Sequence, residues 1–557
     1  MVDFNLRIAG AAGQGVETMG ELLTDTFAHL GLHVFTTQTY MSRIRGGLNW
    51  FDIRIADREL FSGREQTDLL VALRPEAVEL LGKELAEGGR ILFGGDAREG
   101  VIAIDFEGVA KELTGATVMA NTVAAGAVVA LLGYELAPLF ARLEAIFLGK
   151  KGREVVEANV RCAQRGAELV APHAGQLRAP EAGVGRPALQ FTISGNEAIA
   201  YGLAAAGVKF VSAYPMTPST GIFTMLARIH EEYGILVEQA EDEIAAINMA
   251  IGATYAGVPA VCTTSGGGFA LMVEGVSLAG MLELPAVIVL GQRPGPATGL
   301  PTRTAQQDLR FALHAGHGEF PKALYAPGTP QQAFALARVA LETAHKYQTP
   351  VIMLSDQFLA DMRKNMAALD TTLRPIDRHI ITDPSEDYLR YAVTESGVSP
   401  RALPGGPALV VMDSDEHTED GHITEDLSAR VRLQDKRSRK YDGMRAEALP
   451  PERYGPEDAK ELLVCWGSTY GPCREAVDRL NSRGRGIAML HFSQVWPISA
   501  QGGDGLRRAT RVTCVEGNQT GQFAGMLKEA GLVRECALMT KYDGLPFTGE
   551  EIARRLA

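Results

Sequence analysis

Several short segments carry residue types suited to gripping a small anionic ligand. AYPMTPST (213–220) follows an apolar run. Its two prolines rigidify a turn, and Thr217, Ser219 and Thr220 are hydroxyls able to cap the next helix. Tyr214, Pro215 and Thr217 could equally face a ligand at the carboxyl end of a strand, where open α/β sheets bind them. TTSGGGF (263–269) reads as a Gly-rich loop after a strand and before a helix, with Gly266 and Gly267 ahead of Phe269, and such glycines let a backbone approach a ligand closely. In LGQRPGPATGLPTRTAQQDL (290–309), Arg293 and Arg303 share a Pro/Gly-rich loop. Guanidinium groups there suit carboxylate or phosphate, or are plain surface charge. Glu241, Asp242 and Glu243 open an Ala-rich stretch. Acids in a first helical turn are favoured by the dipole, so three need no function. One of them can point inward at the small-residue face, and Glu243, directly before Ile244, takes that position.

Three further segments invite a ligand less specifically. AGAAGQG (9–15) is spaced G-x-x-G-x-G, not G-x-G-x-x-G, and FTTQTYMSRIRGG downstream has no acid for a ribose. It reads equally as a tight turn or as an anion site at a helix start. SRIRGG (42–47) sets Ser42, Arg43 and Arg45 beside two glycines, suited to a phosphate, a carboxylate or a subunit contact. VEGNQTGQFAGML (515–527) places Glu516 and Asn518 at a strand end. The Gly-Asp-Gly of QGGDGLRR (501–508) has no Asn-Asn pair following it and reads as a turn.

Alternating strands and helices must position these segments. Apolar runs at residues 6–9, 32–35, 69–73 and 91–93 alternate with helical patterns near 16–30, 121–132, 136–147 and 155–169. A second series puts strands at 190–193, 208–213, 235–238, 259–263, 285–290 and 350–354, with helices between. A third runs from 461 to 530. The fold class expected is α/β, with three doubly wound parallel-sheet domains. Their expected bounds are 1–172, a linker at 173–188, 189–375, and 376–557 with an irregular, charged lead-in up to 458.

The 557 residues, 46% hydrophobic and 22% charged, fit a globular multidomain protein. A net charge of −13 argues against a nucleic-acid binder. The 6 cysteines form no CxxC pair, so no zinc ribbon or self-contained iron–sulfur loop is visible. Scattered cysteines fit a reducing cytosol, and the N-terminus is too short and polar for a signal peptide. Cytoplasmic localisation is the expectation. No apolar run is long enough to span a membrane.

Taken in order, the motifs resemble the 2-oxoacid:ferredoxin oxidoreductase family over nearly the whole chain. GNEAIAYGLAAAGVKFVSAYPMTPST, EDEIAA, GATYAG and TTSGGGFALM look like its alpha subunit. RIAGAAGQG, SRIRGG, NTVAAGAVVALLG and KGREVVEAN look like its gamma domain. CWGST, VEGNQTGQFAGML and YDGLPFTGEEI are similar to its transketolase C-terminal-like domain. The glycine segment reads SGGG where relatives often have SGPG, which keeps flexibility and loses rigidity.

The resemblance implies a cofactor site split between subunits. The pyrimidine half of thiamine diphosphate would be bound here, with Mg²⁺, the diphosphate site and a [4Fe-4S] cluster on a beta subunit. Two alpha–beta pairs, ferredoxin as electron acceptor and coenzyme A as co-substrate complete the expected system. By the same resemblance Glu243 holds N1' of the pyrimidine, favouring the imino tautomer that activates the cofactor. Tyr214, Pro215, Thr217, Gly266, Gly267 and Phe269 line the cofactor. Thr217 and Arg293 meet the substrate, Arg303 a second carboxylate, and Ser42, Arg43 or Arg45 coenzyme A or a subunit. GPATGLPTRTAQQDL with DGLPFTGEEI looks most like 2-oxoglutarate-using members; pyruvate and branched-chain 2-oxoacids stay open. Two readings of another class compete: a complete NAD(P)-binding enzyme, disfavoured by its glycine spacing, and a non-catalytic scaffold subunit.

Overall fold

A computed structural model describes residues 2–42, 47–96, 100–183 and 191–557. It divides into two compact units. The first comprises Met1–Ser194 with Asp361–Leu369 and Thr548–Glu550. The second holds Gly195–Ala360, Asp370–Phe547 and Glu551–Ala557, so the second and third expected domains form one unit.

The N-terminal unit carries an 8-stranded sheet. Strands Asp3–Ala11, Thr67–Ala72, Leu85–Phe93 and Val101–Ala103 run parallel to one another. The other half is antiparallel, which the expected parallel sheet does not include. Leu48–Ala56 pairs antiparallel with both Asp3–Ala11 and His33–Thr39. Arg363–Met366 then pairs antiparallel with His33–Thr39 and with Phe191–Ser194. Phe191–Ser194 therefore completes the first sheet instead of opening the second. Asn365 explains why so polar a strand sits there. It is 2% exposed. Its side chain accepts from Val34 N at 2.8 Å and donates to Leu32 O at 2.6 Å, extending the ladder.

The C-terminal unit contains a 7-stranded and a 5-stranded sheet. The former is parallel from Leu236–Gln239 through Phe210–Ala213, Ala260–Ser265, Ala286–Gln292 and Pro350–Asp356 to Ala323–Tyr325, with Gln494–Trp496 antiparallel at the edge. The latter is parallel except for its edge strand Glu452–Tyr454. One apolar core runs through both sheets, from Ile247, Phe269 and Ile288 to Trp466, Phe492 and Phe523. The Gly-Asp-Gly segment, expected as a turn, is the short helix Gly503–Arg508.

The charged lead-in also departs from expectation. Residues Leu427–Ala446 form a 20-residue helix. Its Lys436 and Lys440, one turn apart, are fully buried and clamp the carboxylate of buried Glu283 at 2.7 and 2.6 Å. Arg437 of the same helix pairs with Glu416 at 3.0 Å. Among the described residues no helix is long and apolar enough to cross a membrane, and no three His, Cys, Asp or Glu side chains cluster as metal ligands.

Candidate functional site

The carboxyl ends of the seven-stranded sheet bring most of the expected ligand-facing residues together. Strand Leu236–Gln239 leads into helix Glu243–Tyr255. Asp242 is the N-cap, its Oδ1 accepting from Ala245 N at 2.7 Å. This fixes Glu243 at the first helical position, where it is only 4% exposed. Among the described residues its buried Oε1 has no hydrogen-bond partner. A buried carboxylate oxygen left unpaired costs free energy, a cost that a donor on a bound ligand would remove.

Helix Gly266–Met281 faces that carboxylate. The glycines are its first turn, not a loop before it. A Cβ on Gly268 would lie 2.4 Å from Glu243 Oε1 and 2.3 Å from Thr264 Oγ1, so only glycine leaves the carboxylate where it is. A Cβ on Gly267 would meet nothing within 4 Å among the described residues, so the strip is open there. Phe269 is fully buried and packs edge-on to Phe311, ring centroids 5.2 Å apart. It supports the strip from beneath and has no surface to offer a cofactor, a departure from its expected lining role.

The proline turn lies on the neighbouring strand end. Tyr214 is 41% exposed. Pro215 and Thr217 are half-buried, and the Thr217–Pro218 peptide is cis. Ser219 occupies the N-cap of helix Thr220–Arg228, yet its hydroxyl turns back to Met216 O at 2.9 Å and caps nothing. Arg293 reaches this turn, donating to Thr217 O at 2.8 Å. Burial lowers its pKa from the ordinary guanidinium value, against the pull of Asp308. Arg303 sits farther along the same loop, its side chain against Gly544, whose added Cβ would fall 3.0 Å from Arg303 Cβ.

Asp308 is a site residue that sequence reasoning missed. It stands at the N-cap of helix Leu309–His314 but caps nothing. Among the described residues its buried Oδ2 has no hydrogen-bond partner, and a Cβ on Gly266 would come within 2.7 Å of it. Burial pushes its carboxyl up to about 6, with Arg293 opposing. A folded-state pKa above the unfolded one means that this group favours folding while protonated and weakens it as pH rises through 6. Asp308→Asn should therefore raise the thermal midpoint at pH 8, by up to about 3 kcal/mol of stability, and the gain should vanish near pH 4. A gain that persists unchanged at pH 4 would contradict it.

In the N-terminal unit, AGAAGQG forms a tight turn beside a cavity. Gly13 and Gly15 have positive φ values of 86 and 70. Asn121 of the NTVAAG segment donates to Gln14 O at 2.8 Å, and a Cβ on Gly15 would strike it at 2.4 Å. The cavity, about 610 Å³, is lined by the turn, the start of helix Val16–His29, residues 38–41, Asn49, Trp50 and Asp361. Ser42 is exposed next to this lining. Arg43 and Arg45 lie outside the described residues.

Two family models cover most of the chain. Residues 201–436 match the family model described as pyruvate flavodoxin/ferredoxin oxidoreductase, thiamine diphosphate-binding, and residues 5–169 match the pyruvate ferredoxin/flavodoxin oxidoreductase model. The chain is 30% identical to a 2-oxoacid:ferredoxin oxidoreductase subunit alpha of Sulfolobus sp., over 99% of this chain and 96% of that one. It is 32% identical to the 2-oxoglutarate oxidoreductase subunit KorA of Mycobacterium tuberculosis, over 99% and 90%. It superposes with a TM-score of 0.93 and 32% identity on 2-oxoglutarate:ferredoxin oxidoreductase from Magnetococcus marinus, a structure with 2-oxoglutarate, coenzyme A and succinyl-CoA bound, covering 100% of this chain and 99% of that one. The chain belongs to the 2-oxoacid:ferredoxin oxidoreductase family, as an alpha subunit with a thiamine diphosphate-binding domain.

Proposed function

We propose that this subunit serves CoA-dependent oxidative decarboxylation of 2-oxoglutarate to succinyl-CoA, or the reverse carboxylation, with electrons passing to ferredoxin. The observation that carries the reading is Glu243: a buried carboxylate with an unpartnered oxygen, facing a glycine strip that a single methyl group would obstruct. These residues fit the pyrimidine half of thiamine diphosphate. When bound, that cofactor supplies a nucleophilic carbon and an electron sink for the 2-oxo group. Glu243 would hold N1' and keep the proton distribution of the ring. The open backbone at Gly267 gives a flat aminopyrimidine room to lie close. A beta subunit would contribute Mg²⁺, the diphosphate site and a [4Fe-4S] cluster, two alpha–beta pairs forming the working complex in the cytoplasm.

Arg293 would take the C1 carboxylate of the substrate, exchanging its bond to Thr217 O for a bidentate ion pair. Before substrate arrives, the Thr217 carbonyl holds that arginine in place. Arg303 would meet the distal carboxylate that distinguishes 2-oxoglutarate from pyruvate. The cavity beside Gly13, Gly15 and Trp50 would receive part of coenzyme A: aromatic and amide walls for a base, a helix start for a phosphate. The names of the Mycobacterium tuberculosis and Magnetococcus marinus proteins favour 2-oxoglutarate; pyruvate and branched-chain 2-oxoacids are the competing substrates.

The native complex, purified with its partner and given a panel of 2-oxoacids, tests the reading. Turnover should be highest with 2-oxoglutarate. Arg303→Ala should raise KM for 2-oxoglutarate by roughly 10–100-fold, the worth of one charged hydrogen bond, and leave pyruvate nearly unchanged. Equal losses on both would remove Arg303 from specificity, and preference for pyruvate in the unmodified complex would replace the substrate.

A further inference from the structure

VEGNQTGQ, the segment to which the resemblance assigns no chemistry, holds the arginine loop. Gln306 lies thirteen positions beyond Arg293, three beyond Arg303, and is 2% exposed. All four of its polar groups are bonded at the carboxyl edge of the five-stranded sheet. Its backbone N donates to Gly517 O at 2.7 Å, and Gly517 N donates to its Oε1 at 2.8 Å. Its Nε2 donates to Trp466 O at 2.7 Å, and its backbone O accepts from Asn518 Nδ2 at 3.0 Å. Such full satisfaction of a buried amide in one place specifies a single loop position.

The receptor for Gln306 is itself rigid. Buried Glu516 accepts from Trp466 Nε1 at 3.2 Å and from Asn518 Nδ2, Phe523 N and Ala524 N, each at 2.9 Å. It thereby caps helix Gln522–Glu529 and fixes the asparagine that holds the loop. Gly517 and Gly467 leave no spare room: added Cβ atoms would lie 3.2 and 2.8 Å from the Gln306 side chain. On either side of Gln306, the loop is tied down again. Thr304 N donates to Gly544 O at 3.1 Å, and Gln522 Nε2 donates to Gln307 O at 2.6 Å. Gln307 Nε2 in turn donates to Arg293 O at 3.2 Å, passing the constraint to the first arginine.

We propose that Gln306, seated in the Trp466–Gly517–Asn518 notch, is the positioning residue that sets Arg293 and Arg303 for the substrate carboxylates. This rests on the reading of those arginines given above. The segment VEGNQTGQ then acts on substrate affinity through the loop that carries the two arginines. Adjustment of this notch changes which 2-oxoacid the loop fits while the cofactor side stays the same.

The test uses the complete alpha–beta complex and three variants. Gln306→Met keeps length and removes the amide bonds. Gly517→Ala keeps Gln306 and pushes it. Arg293→Ala is the control on the underlying reading. Both notch variants should raise KM for 2-oxoglutarate roughly tenfold or more, because small misplacements of a binding group are costly, with KM for coenzyme A and retained thiamine diphosphate unchanged. If Arg293→Ala raises KM but neither notch variant does, the positioning role is wrong. If KM for coenzyme A rises or cofactor retention falls in parallel, Gln306 serves the fold in general and the proposal is overturned. If Arg293→Ala leaves KM unchanged, the reading of the arginines fails, and the proposal with it. Should Gln306→Met not assemble, Gly517→Ala decides by the same ratios.

Discussion

Glu243→Gln in the assembled complex is expected to lower kcat by about two to four orders of magnitude, the usual worth of a positioned acid–base group. The amide has nearly the carboxylate's shape, so the helix start capped by Asp242 and the glycine strip keep their form. What changes is the charge offered to the heterocycle. Glutamine cannot favour the protonated N1' as a carboxylate does. Retention of thiamine diphosphate through gel filtration should fall together with kcat, while the thermal midpoint stays within a few degrees. Full 2-oxoacid-dependent, CoA-dependent reduction of ferredoxin or viologen by this variant would leave the subunit a scaffold.

The second large effect is on stability and lies away from the glycine strip. Glu283→Ala should cost about 3–5 kcal/mol in chemical denaturation, because it leaves two buried ammonium groups without their carboxylate. Burial by itself would raise the Glu283 carboxyl; Lys440, Lys436 and Arg390 together outweigh it and hold the group well below the usual carboxylate range. A depressed folded-state pKa contributes stability that is present above the unfolded value and lost as pH falls. The difference between native protein and variant should therefore shrink on acidification. Arg390 also donates to the Glu283 backbone oxygen at 2.7 Å, so the side-chain loss does not release every contact. A cost below about 1 kcal/mol would mean that solvent reaches the two lysines.

The same buried charges explain what could and could not be read from the sequence. Strands such as Ala260–Ser265 and Ala286–Gln292 are legible because every residue in them is buried and nearly all are apolar or small. Leu48–Ala56 escapes because its inward positions include ions. Asp52 pairs with Arg7 at 2.6 Å, and Arg54 pairs with Asp3 at 2.6 Å. Helix Leu427–Ala446 escapes for the same reason: half of its packed face is Lys436, Arg437 and Lys440, beside Ala429, Leu433 and Met444, and hydropathy places those cations outside. Within the site, Glu243 is legible from one local pattern, an acid at a helix start before small residues. Asp308 is not, because an Asp before an apolar helix is an ordinary cap, and only the fold turns it toward Gly266. Gln306 has no local signal either; its partners are more than 150 residues away in the chain.

The strand Arg363–Met366 has a consequence for how this protein is made. The first sheet's last two strands come from residues 191–194 and 363–366, although its other six are complete by residue 103. On a ribosome adding about 5–20 residues per second, the edge at His33–Thr39 waits some tens of seconds for its neighbour. During that interval its unpaired amides and carbonyls are available to any passing chain. A fragment ending near residue 172 keeps that open edge permanently and should self-associate. Supplying a peptide of residues 361–369 should suppress that association, an outcome light scattering can follow.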